Sequence, residues 1–195
     1  SFKLPLTTSE PWTRHRRSFP FRPPISPNML TSHYRRVRAF MQQAGQNTPE
    51  TVTIPDEKTR VLRAKLILEE AIETVKALGV SVHVTLPGKG VTFGIEGEGN
   101  VLEFRPDQEV DLEGVADGCA DVSVVTIGTL IAFGVEDEPI LHEVDQANLR
   151  KFAAGSYRRA DGKWMKPPGW TPPDIQGVLD RLSTQKSSAQ KIEDQ

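Results

Sequence analysis

Three glutamates interrupt an otherwise apolar stretch, Leu66-Ile67-Leu68-Glu69-Glu70-Ala71-Ile72-Glu73. Glu69 and Glu73 stand four residues apart and Glu70 and Glu73 three apart, so on a helix all three share one side. Like charges at that spacing repel by about 0.2–0.5 kcal/mol per pair on a free helix, and by more when buried. A cation would remove the conflict. Alone, such a triplet is most often a solvated acidic face. A second pair, Asp117 and Asp121, recurs four residues apart inside Val115–Leu130, the most apolar stretch of the chain. Aspartate is a poor helix former and is almost never fully buried unpaired. No Lys or Arg lies between Arg105 and Arg150 to pair with these two locally. Two antiparallel helices that face these clusters toward each other would form an oxygen cage suited to Mg²⁺, or Mn²⁺ in its place, shared with phosphate groups.

The complement lies downstream. Asn148 and Lys151 are three residues apart, and Tyr157-Arg158-Arg159, Asp161-Gly162-Lys163 and Lys166 follow. A cation-and-amide edge beside an acid–metal centre is what a polyphosphate requires. By itself a Lys-rich loop is usually solvated surface. Trp164 and Trp170 in the same loop could stack on a base or pack the loop down.

The elements that must position these groups can be read from period and punctuation. A first helix is expected over 32–44, capped by Thr31 or Ser32, with Tyr34, Val37, Phe40, Met41 and Ala44 on one face and Gly45 ending it. Asp56 caps a longer helix to about Leu78, whose broad face is traced by Val61, Leu62, Lys65, Leu68, Glu69, Ile72, Glu73 and Val75. Over 80–110 the period changes to two. Val80, Val82, Val84 and Leu86 alternate, Pro87 to Gly90 turns the chain, Val91, Phe93 and Ile95 alternate again, and Val101 to Phe104 follow a second turn. This predicts a small β-hairpin or three-stranded meander between helices two and three. Asp111 caps a third helix to about Phe133, in which Val115, Ala116, Cys119, Val122, Val125, Thr126, Thr129 and Leu130 suit a buried position. A fourth helix, 138–152, carries Pro139 in its first turn. Residues 154–173 read as loop, and Asp174 caps a short last helix over 175–183. The fold class is all-α, a four-helix module with one β insertion.

Composition bounds the rest. The 195 residues carry a formal net charge of -2 that hides an asymmetry. Residues 1–38 hold eight Lys/Arg against one acid, Glu10, whereas 39–195 have a balance of -9. With six prolines, residues 1–30 read as a basic, disordered tail, with the domain spanning 31–183 and a polar disordered tail over 184–195. The domain is expected to begin near Met29. The basic tail leaves nucleic acid as a partner of low weight. No run of 18 consecutive apolar residues occurs, which argues against a transmembrane helix and a membrane partner. The single Cys119 excludes a disulfide framework and fits a reducing, cytoplasmic location. Four histidines, none in His-x-x-x-His or Glu-x-x-His spacing, argue against zincin and di-iron chemistry.

Taken in order, these pieces resemble the all-α nucleoside triphosphate pyrophosphohydrolases, the MazG-like and phosphoribosyl-ATP-pyrophosphatase-like superfamily. They are Phe40-Met41 with Gly45-Gln46, Glu69 to Glu73, Asp117 to Asp121, Gly128-Thr129 with Phe133-Gly134, Glu143-Val144 with Asn148 to Lys151, Asp161 to Trp170, and Pro173-Asp174-Ile175. The resemblance implies a four-helix module that forms a homodimer or a dimer of dimers. It also implies Mg²⁺-dependent hydrolysis of a nucleoside triphosphate to monophosphate and pyrophosphate, with a house-cleaning role among damaged or surplus nucleotides. By motif match Glu69, Glu70, Glu73 and Asp121 would hold metal, with Glu70 also orienting or deprotonating the attacking water. Asn148 and Lys151 would contact phosphates, and Gln46, Lys163, Lys166 and Trp164 complete the substrate-binding set without encoding a particular base. The chain departs from the family in placing Gly118 where a glutamate is usual, so Asp117 is the expected substitute. The span from Glu73 to Asp117 is also longer than usual. The alternative from another class is a non-catalytic helical oligomer that senses metal or nucleotide.

Overall fold

The computed structural model describes residues 31–85, 101–160 and 162–193. The basic segment 1–30, the turns and middle strand expected within 86–100, Asp161 and the last two residues lie outside the described residues. The chain is mainly helical, consistent with an all-α class: α1 is Ser32–Gln43, α2 Glu57–Ala77, α3 Leu112–Ala132, α4 Asp137–Leu149 and α5 Ile175–Glu193. The helix starts follow from the side chains that precede them. Thr31 accepts the Tyr34 amide at 3.0 Å, Asp56 the Thr59 amide at 2.7 Å, Asp111 the Gly114 amide at 3.0 Å and Asp174 the Gly177 amide at 3.0 Å. Each such cap contributes about 1 kcal/mol by satisfying an otherwise orphaned donor. Gly134 ends the third helical segment at φ 68°, and a Cβ there would fall 2.0 Å from the Thr51 carbonyl oxygen. Only glycine fits that turn and that approach.

Two strands, β1 (Ser81–Thr85) and β2 (Val101–Arg105), pair antiparallel between α2 and α3, with His83 opposite Glu103. Three features differ from the sequence expectation. The fourth helix tightens into a 3₁₀ turn over Arg150–Phe152. The loop after it contains a second antiparallel pair, β3 (Tyr157–Arg158) with β4 (Trp164–Met165). The last helix runs on to Glu193, ten residues beyond the expected end.

Tyr34, Val37 and Met41 of α1 pack on Ile127, Ile131 and Ala132 of α3, and Val135, Val178 and Leu182 form a second cluster that joins α5 to the end of α3 through Leu130 and Phe133. Burying one such aliphatic side chain stabilises the fold by about 1.5–3 kcal/mol. Asp137, fully buried, ties the start of α4 to the start of α1 by accepting from the Thr31 amide at 3.3 Å and from the Thr31 hydroxyl. Burial pushes the Tyr34 phenol up to about 12, against the opposing pull of Arg38.

The burial pattern corrects three expected faces. Phe40 and Ala44 of the first helical segment are exposed rather than inward. On α2 the expected face points out: Val61, Leu62, Lys65, Leu68, Glu69, Ile72 and Glu73 are exposed, and Arg63 is the one buried residue of the helix. On α3 burial concentrates at Gly118, Val125, Ile127, Gly128, Ile131 and Ala132, whereas Ala116, Cys119 and Thr126 are exposed. The reason is the α2–α3 contact, which is built on small residues. Positions for a Cβ on Gly114, Gly118 and Gly128 lie against Ala77, Thr74 and Arg63 respectively, so the helices run antiparallel. By length and mean hydropathy α3 is the one described helix that could cross a membrane. It carries Asp117 and Asp121 and packs against α1 and α2.

Candidate active site

The antiparallel register brings the two acid clusters to the same level. Thr74 meets Gly118 so closely that a Cβ would fall 2.5 Å from the threonine hydroxyl oxygen and 3.1 Å from its Cα. One turn back along α2 from that contact is Glu70, and one turn on along α3 is Asp121. Glu70 is half-buried, and its carboxyl is held above the ordinary glutamate range. Desolvation is the first cause, followed by the charges of Asp121, Glu73, Glu69 and Asp117. A groove of about 450 Å³ runs between the helices, and its lining includes Glu70, Glu73, Asp117, Asp121 and, at its rim, Glu109 and Asp111.

Glu109 and Asp111 were not among the residues expected at the site. They arrive because the chain leaving β2 is stitched to the end of α2: the Gln108 amide donates to the Gly79 carbonyl at 3.1 Å and the Asp111 amide to the Ala77 carbonyl at 2.9 Å. Lys76 supplies a cation to the same lining. Among the expected ligands, Glu69 is exposed and does not line the groove, though its charge is felt at Glu70. Gly118 stands at a close helix contact, where the side chain of the usual glutamate would press on Thr74. Asp117 stands beside it and does line the groove.

The donors present are hard oxygen ligands with a net negative field, the set a divalent cation of the magnesium type takes. Among the described residues, no three His, Cys, Asp or Glu side chains converge on one point in this conformation.

The cation edge forms a separate group. Lys151 donates to the Asn148 carboxamide oxygen at 2.8 Å. Lys166 Nζ lies 3.9 Å from the Trp170 ring centroid and Lys151 Nζ 5.8 Å from it, while the Trp170 indole N–H donates to the Ala147 carbonyl at 2.9 Å. Trp170 thus anchors the loop to α4 and carries two lysines on its faces. Trp164 packs edge-on against Phe152, with ring centroids 5.1 Å apart, and Lys163 precedes it on the exposed loop. None of Asn148, Lys151, Lys163, Lys166 or Trp164 lines the carboxylate groove. Gln46 lies elsewhere again, in the turn after α1, where its backbone amide donates to the Met41 carbonyl at 2.9 Å.

The site is an acid-rich groove between two antiparallel helices. The profile of the family described as phosphoribosyl-ATP pyrophosphohydrolase matches residues 35–148, more than half of the chain, and the chain belongs to that family within the MazG-like all-α superfamily. Members are pyrophosphohydrolases, hydrolases acting on acid anhydrides, and that is the enzyme class of this chain. Comparison with curated proteins returned no match.

Proposed function

We propose that the chain hydrolyses a nucleoside triphosphate, ribo or deoxy, between the α and β phosphorus, releasing monophosphate and pyrophosphate. The observation that carries this is the groove itself: Glu70, Glu73, Asp117 and Asp121 face one another across α2 and α3, and burial, with the charge of its neighbours added, holds the Glu70 carboxyl above its ordinary range. Bound there, Mg²⁺, or Mn²⁺ in its place, would neutralise charge on the triphosphate. Glu70, Glu73, Asp117 and Asp121 would hold it, with Glu69 reaching in from the outer edge. Glu70, half-buried on the lining of the groove, orients the attacking water and takes its proton. Lys151 and Lys166 offset the charge of the departing pyrophosphate, and Asn148 positions the phosphates once the cation edge meets the groove.

That meeting favours a homodimer, since the groove and the edge are separate within one chain. The outer face of α2 offers Leu68 and Ile72, both 59% exposed, as apolar surface for a second copy. A house-cleaning role against surplus or damaged nucleotides follows from that activity.

The test is a substrate panel: canonical and modified nucleoside triphosphates together with phosphoribosyl-ATP, each with Mg²⁺, with pyrophosphate and orthophosphate quantified separately. The expected result is pyrophosphate from triphosphates, abolished by EDTA. Turnover of phosphoribosyl-ATP alone would replace the substrate class, and orthophosphate as product would overturn the site of attack.

A further inference from the structure

Ionised carboxylates only accept hydrogen bonds. A polyphosphate bound with Mg²⁺ between α2 and α3 still presents oxygens that the cation does not take, and these need donors. Among the side chains lining that groove only Lys76 and Gln108 can donate an N–H. The lysine–tryptophan edge does not reach it. Lys76 is exposed, and among the described residues its ammonium forms no ion pair, although Glu73 precedes it by three residues on the same helix.

Both donors stand at one end. With Thr74 against Gly118 and Ala77 against Gly114, Glu70 is level with Asp121, and Lys76 with the first turn of α3. Six residues separate Glu70 from Lys76, about 9 Å along the helix axis. Just past Lys76 the chain leaving β2 crosses from α2 to α3. There the Gln108 and Asp111 amides donate to the Gly79 and Ala77 carbonyls, and a Cβ on Gly79 would fall 2.6 Å from the Gln108 carbonyl oxygen. That end is closed, so a nucleoside must project from the other. Glu109 and Asp111 share the closed end. Asp111 is engaged by the Gly114 amide, and Glu109 adds an acceptor that only a cation, metal or lysine, offsets.

Resting on the proposed triphosphate activity, we infer that Lys76 is a substrate-binding residue that donates to the β and γ phosphates, with the Gln108 carboxamide beside it. The triphosphate then lies with its α-phosphorus at Glu70 and its terminal phosphates at the closed end. Through Gln108 the exit arm of the β insertion becomes part of the site. A lysine in the last turn of a helix also offsets the helix dipole. That role is charge alone and sets no preference between pyrophosphate and a monophosphate, so binding separates the two.

Isothermal titration calorimetry of the full chain with Mg²⁺ reads this without turnover, using imidodiphosphate, the four deoxynucleoside α,β-imidotriphosphates and the four monophosphates. Lys76→Met should weaken imidodiphosphate and the imidotriphosphates by about tenfold and the monophosphates by less than about twofold. Lys76→Arg, which still donates, should keep most of the affinity. Lys65→Met removes an exposed lysine of the same helix that does not line this groove, and should leave every ligand unchanged. Circular dichroism checks the fold, and Lys76→Ala gives the same reading where the methionine variant does not fold. Unchanged imidodiphosphate affinity in the folded variant, an equal loss in Lys65→Met, an equal loss for the monophosphates, or a wild type that binds no imidodiphosphate overturns the inference. Absence of turnover with the selective loss present overturns the activity instead and leaves Lys76 as a phosphate-binding residue.

Discussion

At Glu70, burial and four neighbouring carboxylates act in the same direction, and the sign of the consequence can be worked out. In the unfolded chain the group titrates near its ordinary 4.5, and folding raises it. Between those two values the folded state binds the extra proton, so this group's contribution to stability falls as pH rises through the window just above 4.5. Scanning calorimetry in EDTA should show the wild type losing Tm across that window relative to Glu70→Gln, and Mg²⁺ should remove the difference. A wild type that gains Tm relative to Glu70→Gln as pH rises would mean that Glu70 is paired rather than crowded. The acids of α2 and α3 were legible in the sequence because carboxylates inside apolar runs are conspicuous. Glu109 and Asp111 were not, because one sits among ordinary loop residues and the other looks complete as a helix cap.

For the helices, the expected bounds agree closely with the observed ones wherever a cap and a glycine punctuate the chain, as at Thr31, Asp56, Asp111 and Gly134. Which face turns inward was not legible. Both sides of α2 carry aliphatic residues, and the choice between them is made by Gly114, Gly118 and Gly128 on α3, which have no hydropathy signal to contribute. They act by letting backbones approach. Gly118 sets the depth of the groove, so Gly118→Ala must push α2 away at Thr74. We expect a loss of about 1–3 kcal/mol by chemical denaturation together with reduced turnover. Gly118→Glu, which supplies the family's usual acid, should lose more of both. Restored or improved activity in Gly118→Glu would show that α2 and α3 can separate there and that the departure is not steric. The late β3–β4 pair was invisible for a different reason: two residues per strand are too few to establish an alternating pattern.

On the scale of the whole molecule, one chain supplies an acid groove and a lysine–tryptophan edge that do not meet, and an apolar outer face on α2 that nothing among the described residues covers. The homodimer proposed above would account for both. Sedimentation equilibrium should report a dimer, or a dimer of dimers, for the wild type, and the double change Leu68→Lys with Ile72→Lys should release monomer and remove activity. A monomeric wild type with full activity would refute the dimer. The helical class and the opposed acid clusters could be read from the sequence, whereas the separation of groove and edge required the coordinates, because residue spacing along a chain does not report distances between loops. The most direct test of the central claim compares the wild type with Glu70→Gln and Asp121→Asn, each shown to be folded, for release of pyrophosphate from the best nucleotide of the panel under saturating Mg²⁺. The account predicts a fall in kcat of about 10²–10⁴ for Glu70→Gln, and for Asp121→Asn a loss that is deeper at limiting Mg²⁺ than at saturation. Wild-type turnover in both variants would place the chemistry outside the groove.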